Sequence, residues 1–134
     1  MRIFLNGTAM SGQADQVFLR GAPLLGTART APRYRFYAVR GEFPGLVAVE
    51  SGGRSIEGEL YDIDDEVWRT SLGPAEPREL ALGEVELDDG QTAHAMILDT
   101  TMVRDDEIVD ITELGGWRAF LRSTGADAPA PRTS

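Results

Sequence analysis

The sequence predicts an α+β domain: a small mixed, mostly antiparallel β-barrel with two or three short helices. Three observations predict it. Short β-like runs, about six of them, recur along the chain. Proline and glycine punctuate the runs at "APR", "EFPG", "SGG" and "DDG". Helical periodicity is confined to a few places, so no βαβ alternation arises, and strands joined by tight turns curl and remove their own edges. A curled sheet of this size leaves one mouth where a ligand can sit.

Arg2 to Asn6 reads as the first strand. Gln13 to Arg20 reads as a short helix with Val17 and Phe18 on its buried side. The runs "LLGTART", "YRFYAV", "GLVAVE", "SIEGELYDI", "ALGEVEL" and "TAHAMILD" follow as strands. In "SIEGELYDI", Ile56, Gly58 and Leu60 alternate with Glu57, Glu59 and Tyr61. The first set is assigned inward and the two glutamates outward, to water; on the other reading, with their face inward, the two carboxylates would shift each other's pKa values and suggest acid–base work. In "DIDDEVWRTSLGP", acids crowd the first turn of a helix, Trp68 and Leu72 lie one turn apart, and Gly73–Pro74 is expected to stop it. In "DITELGGWRAFLRS", Trp117, Phe120 and Leu121 form the i, i+3, i+4 stripe of a core-facing helix, with Trp117 closing one end of the barrel.

A chain of 134 residues suits one domain, taken here as residues 1–122, followed by a flexible tail over 123–134 rich in small residues and proline. There are 22 acidic against 13 basic residues, a net charge of -9, which repels phosphate backbones and anionic lipid. Neither nucleic acid nor a membrane is expected as a partner. No apolar run approaches the roughly 20 residues of a membrane span, and a cytoplasmic location is expected. There is no cysteine, so thiolate chemistry, disulfides and iron–sulfur clusters drop out. Every basic residue is arginine, which removes Schiff-base lysine chemistry and the P-loop lysine. No metal site and no cofactor are expected; the run "RDDEIVDITE" lacks the spacing of a calcium loop and reads as a solvated acidic face.

The first strand runs into "NGTAMSG", where Gly7 and Gly12 bracket small residues. Successive N–H groups in so tight a bend make a concavity suited to an anion. Two readings of Gly7, Thr8, Ala9 and Met10 stand open at this point, an anion cradle and a plain turn, and the resemblance described next implies the cradle. Among the tyrosines, Tyr37 is carried as a candidate ligand contact through its hydroxyl, although strand tyrosines commonly serve packing. The single histidine, His94, lies on a strand, where a satisfied or surface role is the commoner one.

The order of "RTAPRYRFYAV", "PGLVAV", "SIEGELYDI", "LGEVELDDG" and "DITELGGWRAFL" resembles the gamma-glutamylcyclotransferase-like superfamily, and within it the C-terminal domain of allophanate hydrolase and its free-standing relatives. The likeness runs from about Arg2 to Leu121. It implies that the loop after strand one holds an anionic end of a small substrate through backbone N–H groups. It also implies either removal of carbon dioxide from an N-carboxylated carbamate, aided by a loop histidine, or ring closure on a glutamyl amine with a glutamate base. Ala9 stands at the histidine position. "LGPAEP" places Glu76 where the glutamate falls, with Gly73 and Pro77 departing from the surrounding pattern and Glu79 as a second positional candidate. The segment "PAEPREL" itself reads as an exposed loop. Asp99, after "AMIL", matches an acid of the allophanate hydrolase domain and is assigned to the pocket mouth; a turn-capping aspartate is the other reading. The implied protein is a small-molecule enzyme of cyclotransferase- or decarboxylase-like lyase type, acting on a compact carboxylate, carbamate, ureido or glutamyl-amine compound. The alternative is a non-catalytic accessory protein that keeps the pocket.

Overall fold

The computed structural model describes residues 1–125. Eight strands form a curled mixed sheet, a half-barrel, in the order β2-β5-β1-β7-β4-β3-β8, with β6 on the other side of β7. The strands are β1 (Arg2–Leu5), β2 (Leu24–Arg29), β3 (Tyr34–Val39), β4 (Phe43–Ala48), β5 (Glu57–Asp62), β6 (Leu80–Glu86), β7 (Thr92–Leu98) and β8 (Ile108–Asp110). The α+β class and the curl agree with the sequence reading.

Strand β1 sits between β5, antiparallel, and β7, parallel, so its run Ile3–Phe4–Leu5 is buried on both faces. Strand β7 runs beside β1 through His94 and Ala95 and then beside β4 at Ile97, while β6 covers its whole length on the other side. A bridge between Thr30 and Leu87, with Ala31 N–H donating to the Glu86 carbonyl at 2.9 Å, ties the extension of β2 to the end of β6 and tightens the curl. The core gathers Ile3, Phe4, Phe36, Leu46, Ile56 and Trp117 among its most buried members.

The β3–β4 hairpin turns through Arg40 and Gly41, both at positive φ (52° and 71°), the two central residues of a turn closed by Glu42 N–H on the Val39 carbonyl. That twist matches the flanking strands. A non-glycine residue is disfavoured there, and Arg40 is held by Glu42, Glu79 and Glu107 at 3.3, 2.8 and 3.2 Å.

Two helical expectations are corrected. The segment after Gln13 is a 3₁₀ helix, Ala14–Leu19, and its three-residue turn changes which side chain faces inward: Leu19 is buried while Val17 is 69% exposed. The second helix does not stop at Gly73–Pro74. It runs as Asp65–Val67, a wide π turn over Trp68–Leu72, and Gly73–Ala75. Pro74 brings no N–H to the ladder, and Gly73 N–H reaches back five residues to the Trp68 carbonyl instead. A Cβ on Gly73 would lie 2.7 Å from that carbonyl oxygen, which is why glycine fits the wide turn. The helix ends at Glu76, extended at ψ 146°, because the following Pro77 excludes helical backbone from the residue before it.

The C-terminal helix spans Trp117–Thr124, with Trp117 buried and stacked on Phe120 at 4.9 Å between ring centres. Ser123 and Thr124, assigned to the tail by the sequence, belong to this helix; the rest of the expected tail, 126–134, lies outside the described residues. No helix among the described residues is long and apolar enough to cross a membrane.

Gly58 supplies a test of the sheet packing, because a Cβ there would lie 2.5 Å from the Phe4 ring and 2.6 Å from the Leu5 carbonyl oxygen. Gly58→Ala should destabilise the fold by about 2 kcal/mol or more through overpacking, read as a lowered urea midpoint with unchanged m-value.

Candidate functional site

The loop after β1 is a β-turn closed by Met10 N–H on the Gly7 carbonyl at 3.1 Å, leaving Thr8 and Ala9 as its central residues. A second turn follows, with Gln13 N–H donating to the Met10 carbonyl at 3.0 Å. The N–H groups of Thr8 and Ala9 have no acceptor among the described residues. Gly7 is fixed by contact: a Cβ on it would lie 2.7 Å from the Pro44 ring.

A small cavity of about 20 Å³ opens beside this turn, room for roughly one water molecule. Asn6, Gly7, Thr8 and Ala9 line one side, Phe43, Pro44, Leu80 and Met96 give it apolar wall, and Glu76 completes it. The chain thus brings together residues 7–9 and Glu76, which are nearly 70 positions apart in sequence. The segment "PAEPREL" is not the exposed loop expected of it, for Glu76 is half-buried in the cavity wall. Burial, with the Asp15 carboxylate adding its charge, pushes the Glu76 carboxyl up to about 7. It has no hydrogen bond or ion pair among the described residues. Glu79 is different: Arg40 donates to it at 2.8 Å and holds its carboxyl below the usual range, so it is a structural anion rather than a base.

Three candidates fall outside the cavity. The Met10 amide closes the turn, and its buried side chain takes a contact from Arg118 at Sδ, 3.6 Å away. Tyr37 packs with Val39, Phe43 and Leu98 on the β3 side of the sheet. Asp99 caps a 3₁₀ turn, accepting from the N–H and hydroxyl of Thr101 at 3.0 and 2.6 Å, so the turn-capping reading describes it. His94 lies mid-strand on β7, paired with Glu84 across β6, and does not line the cavity.

The sequence reading missed Glu59, which it set in water. Glu59 is only 6% exposed. Ser11 donates to it twice, from N–H at 2.7 Å and from the hydroxyl at 2.5 Å, and Tyr61 donates its hydroxyl at 3.0 Å. Arg118, from the C-terminal helix, stands 3.6 Å from the same carboxylate and donates to the Ser11 carbonyl. Burial opposes the charge, but these donors and Arg118 outweigh it and hold the carboxyl below its ordinary value. The cause of the miss is that loop 7–13 and the last helix cover the β5 face assigned to solvent. The one legible signal was Tyr61, two residues on and on the same face.

Among the described residues, no group of three or more His, Cys, Asp or Glu side chains is placed to hold a metal ion. The cavity brings one carboxyl with a raised pKa together with loop residues whose amides have no acceptor among the described residues. That arrangement can hold a carbonyl or carboxylate oxygen and move a proton beside it.

Comparison with known proteins gives the following. A family model described as the allophanate hydrolase C-terminal domain matches residues 1–122. Urea amidolyase of Saccharomyces cerevisiae is 31% identical over 122 residues, covering 87% of this chain and 6% of that protein. A putative gamma-glutamylcyclotransferase of Vibrio cholerae is 36% identical over 63 residues, 47% of this chain and 51% of that one. The crystal structure of a uropathogenic E. coli-specific protein matches with a TM-score of 0.82 and 27% identity, covering 92% of this chain and 94% of that chain. The chain therefore spans a small fraction of the yeast relative and about half of the Vibrio one.

The Glu59 network is testable by its pH dependence. A carboxyl held below its unfolded value adds stability that is full above about pH 4.3 and lost as pH falls through the folded value. Glu59→Gln should therefore lose about 2 kcal/mol at neutral pH and show a flatter fall in stability than the parent below about pH 4, measured by urea denaturation across a pH series.

Proposed function

This chain belongs to the allophanate hydrolase C-terminal domain family and carries the gamma-glutamylcyclotransferase-like fold, and from that premise we propose that it is a small-molecule enzyme in which Glu76 moves a proton and the Thr8 and Ala9 amides hold a developing oxyanion. The observation that carries the proposal is the convergence of those amides and an unpartnered carboxyl, pushed up to about 7, on one cavity. A base poised near neutral pH combines the correct protonation state with useful driving force. The substrate is compact and presents a carboxylate, carbamate, ureido or glutamyl-amide group.

The chemistry follows from the two halves of the cavity. For a glutamyl amide, Glu76 accepts the proton of the attacking amine as its nitrogen bonds to the amide carbonyl. The oxygen of the tetrahedral centre gathers charge, and the loop amides stabilise it. The proton then passes from Glu76 to the leaving nitrogen as the old C–N bond breaks, which regenerates the carboxylate. For a carbamate, the same amides hold a carboxyl oxygen and Glu76 supplies the proton that replaces lost carbon dioxide on nitrogen. In either case the residue at position 9 contributes its backbone alone, since Ala9 has no side-chain acid or base.

Ala9 also favours a second reading, a pocket protein that binds without turnover. The two are separated by the same experiment. Gamma-glutamyl amides and ureido acids are incubated with the protein, and 5-oxoproline, ammonia and carbon dioxide are followed. Product formation that Glu76→Gln lowers by a factor of about 100 or more supports the enzyme. An unchanged rate in Glu76→Gln removes Glu76 from the mechanism. A raised melting temperature with no product marks the binding protein.

The raised carboxyl also fixes a sign for stability. The native state holds this proton more tightly than the unfolded chain, so stability falls as pH rises from about 4.3 toward 7. Glu76→Gln should therefore unfold at a higher temperature than the parent at about pH 8, and the gap should close at about pH 4, measured by calorimetry.

A further inference from the structure

Among the described residues, the walls of the cavity hold no arginine and no histidine, and the one ionisable lining side chain is Glu76, with the charge of Asp15 acting on it. The chain as a whole is acidic, at -9. A free carboxylate entering here meets amide dipoles on one side and negative charge on the other, with no cation to neutralise it. One residue of the wall holds an unused donor, buried beside the cavity. Asn6 lines it, and the Asn6 side-chain nitrogen Nδ2 is shielded from solvent with no hydrogen-bond acceptor among the described residues. Native proteins rarely leave such a donor unpaired, because the desolvation cost is then not returned.

Resting on the reading of this cavity as the substrate site, we propose that Asn6 and Glu76 together select an uncharged amide-type end group, a carbonyl oxygen with N–H beside it, over a free carboxylate. Asn6 Nδ2 and the Thr8 and Ala9 amides give hydrogen bonds to the carbonyl oxygen, and the Glu76 carboxylate accepts from the substrate N–H. The arrangement satisfies the orphan donor and places the lone carboxylate against a donor rather than a like charge. Among the substrate classes above, this favours ureido and primary or secondary amide ends.

Asn6 is hard to account for by packing alone. It immediately follows β1, whose apolar run Phe4–Leu5 is buried, and an aliphatic residue of the same size would avoid the unpaired donor. Keeping an unsatisfied amide at a cavity wall is the pattern of a binding residue that trades stability for recognition.

Succinamate and succinate are nearly isosteric and differ at one end only, amide against carboxylate, and so make the test. Isothermal titration of the full chain at about pH 8, where Glu76 is charged, should give succinamate a Kd at least about tenfold below that of succinate. Glu76→Gln should bring the two within about twofold by removing the like charge. Asn6→Ala, and the isosteric Asn6→Asp in case the smaller side chain disturbs the loop, should weaken succinamate by about tenfold without lowering the melting temperature. Succinate binding as tightly as succinamate overturns the selectivity. Undiminished succinamate binding in both Asn6 variants overturns the role of Asn6. Binding of neither compound at millimolar concentration overturns the substrate-site reading itself, a result distinct from loss of preference.

Discussion

The buried carboxylate of Glu59 is the interaction on which the site's geometry depends. It collects the N–H and hydroxyl of Ser11, the hydroxyl of Tyr61 and the charge of Arg118. Those groups come from the loop after β1, from β5 itself and from the last helix, so one side chain fastens three separate parts of the chain. A buried carboxylate is stable only when its lone pairs are filled by good donors, and any shift of the loop would leave it unpaired in a poorly solvated place. The loop is thereby fastened at Ser11, while the Thr8 and Ala9 amides have no acceptor among the described residues. Preorganised dipoles of this kind do not have to reorient when charge develops on a ligand.

The opposite wall of the cavity is set by proline chemistry. Pro74 widens one helical turn and Pro77 ends the helix one residue earlier, which turns Glu76 out of the helix and into the cavity. Arg40 then holds the neighbouring Glu79 and, through Glu107, the chain before β8. Two glutamates three residues apart thus have opposite environments. Glu79 has an arginine and stays ionised; Glu76 has burial and Asp15 and sits near neutrality. The contrast separates a structural acid from a candidate catalytic one more clearly than either position in the sequence does.

The same contrast describes the family relation. The family match extends over residues 1–122, and the loop residues Gly7, Thr8 and Ala9 line one cavity together with Glu76. Ala9 replaces the histidine that the allophanate hydrolase resemblance implies. With that side chain absent, Glu76 is the one acid or base among the residues that line the cavity. A pocket built from dipoles and one carboxyl, without cations, suits a substrate that is polar but locally uncharged.

What the amino-acid order determined by itself was whatever local pattern and spacing encode. Alternation in "SIEGELYDI" and the apolar run "IFL" gave strands, the stripe Trp117, Phe120 and Leu121 gave the last helix, and bracketing glycines gave the tight bend at residues 7–12. Spacing also gave Glu76 as a positional candidate. Only the tertiary structure decided which faces are covered. The second face of β5 is polar in sequence, yet loop and helix close over it, so Glu59 is a buried staple rather than a solvated acid. Asp99, equally plausible on paper, spends its oxygens on Thr101. Asn6 carries no pattern at all, and its unpaired nitrogen is visible only where the strand end meets the cavity. The physical reason is common to all three: burial and hydrogen-bond satisfaction are properties of what packs against a residue, and those neighbours come from distant parts of the chain.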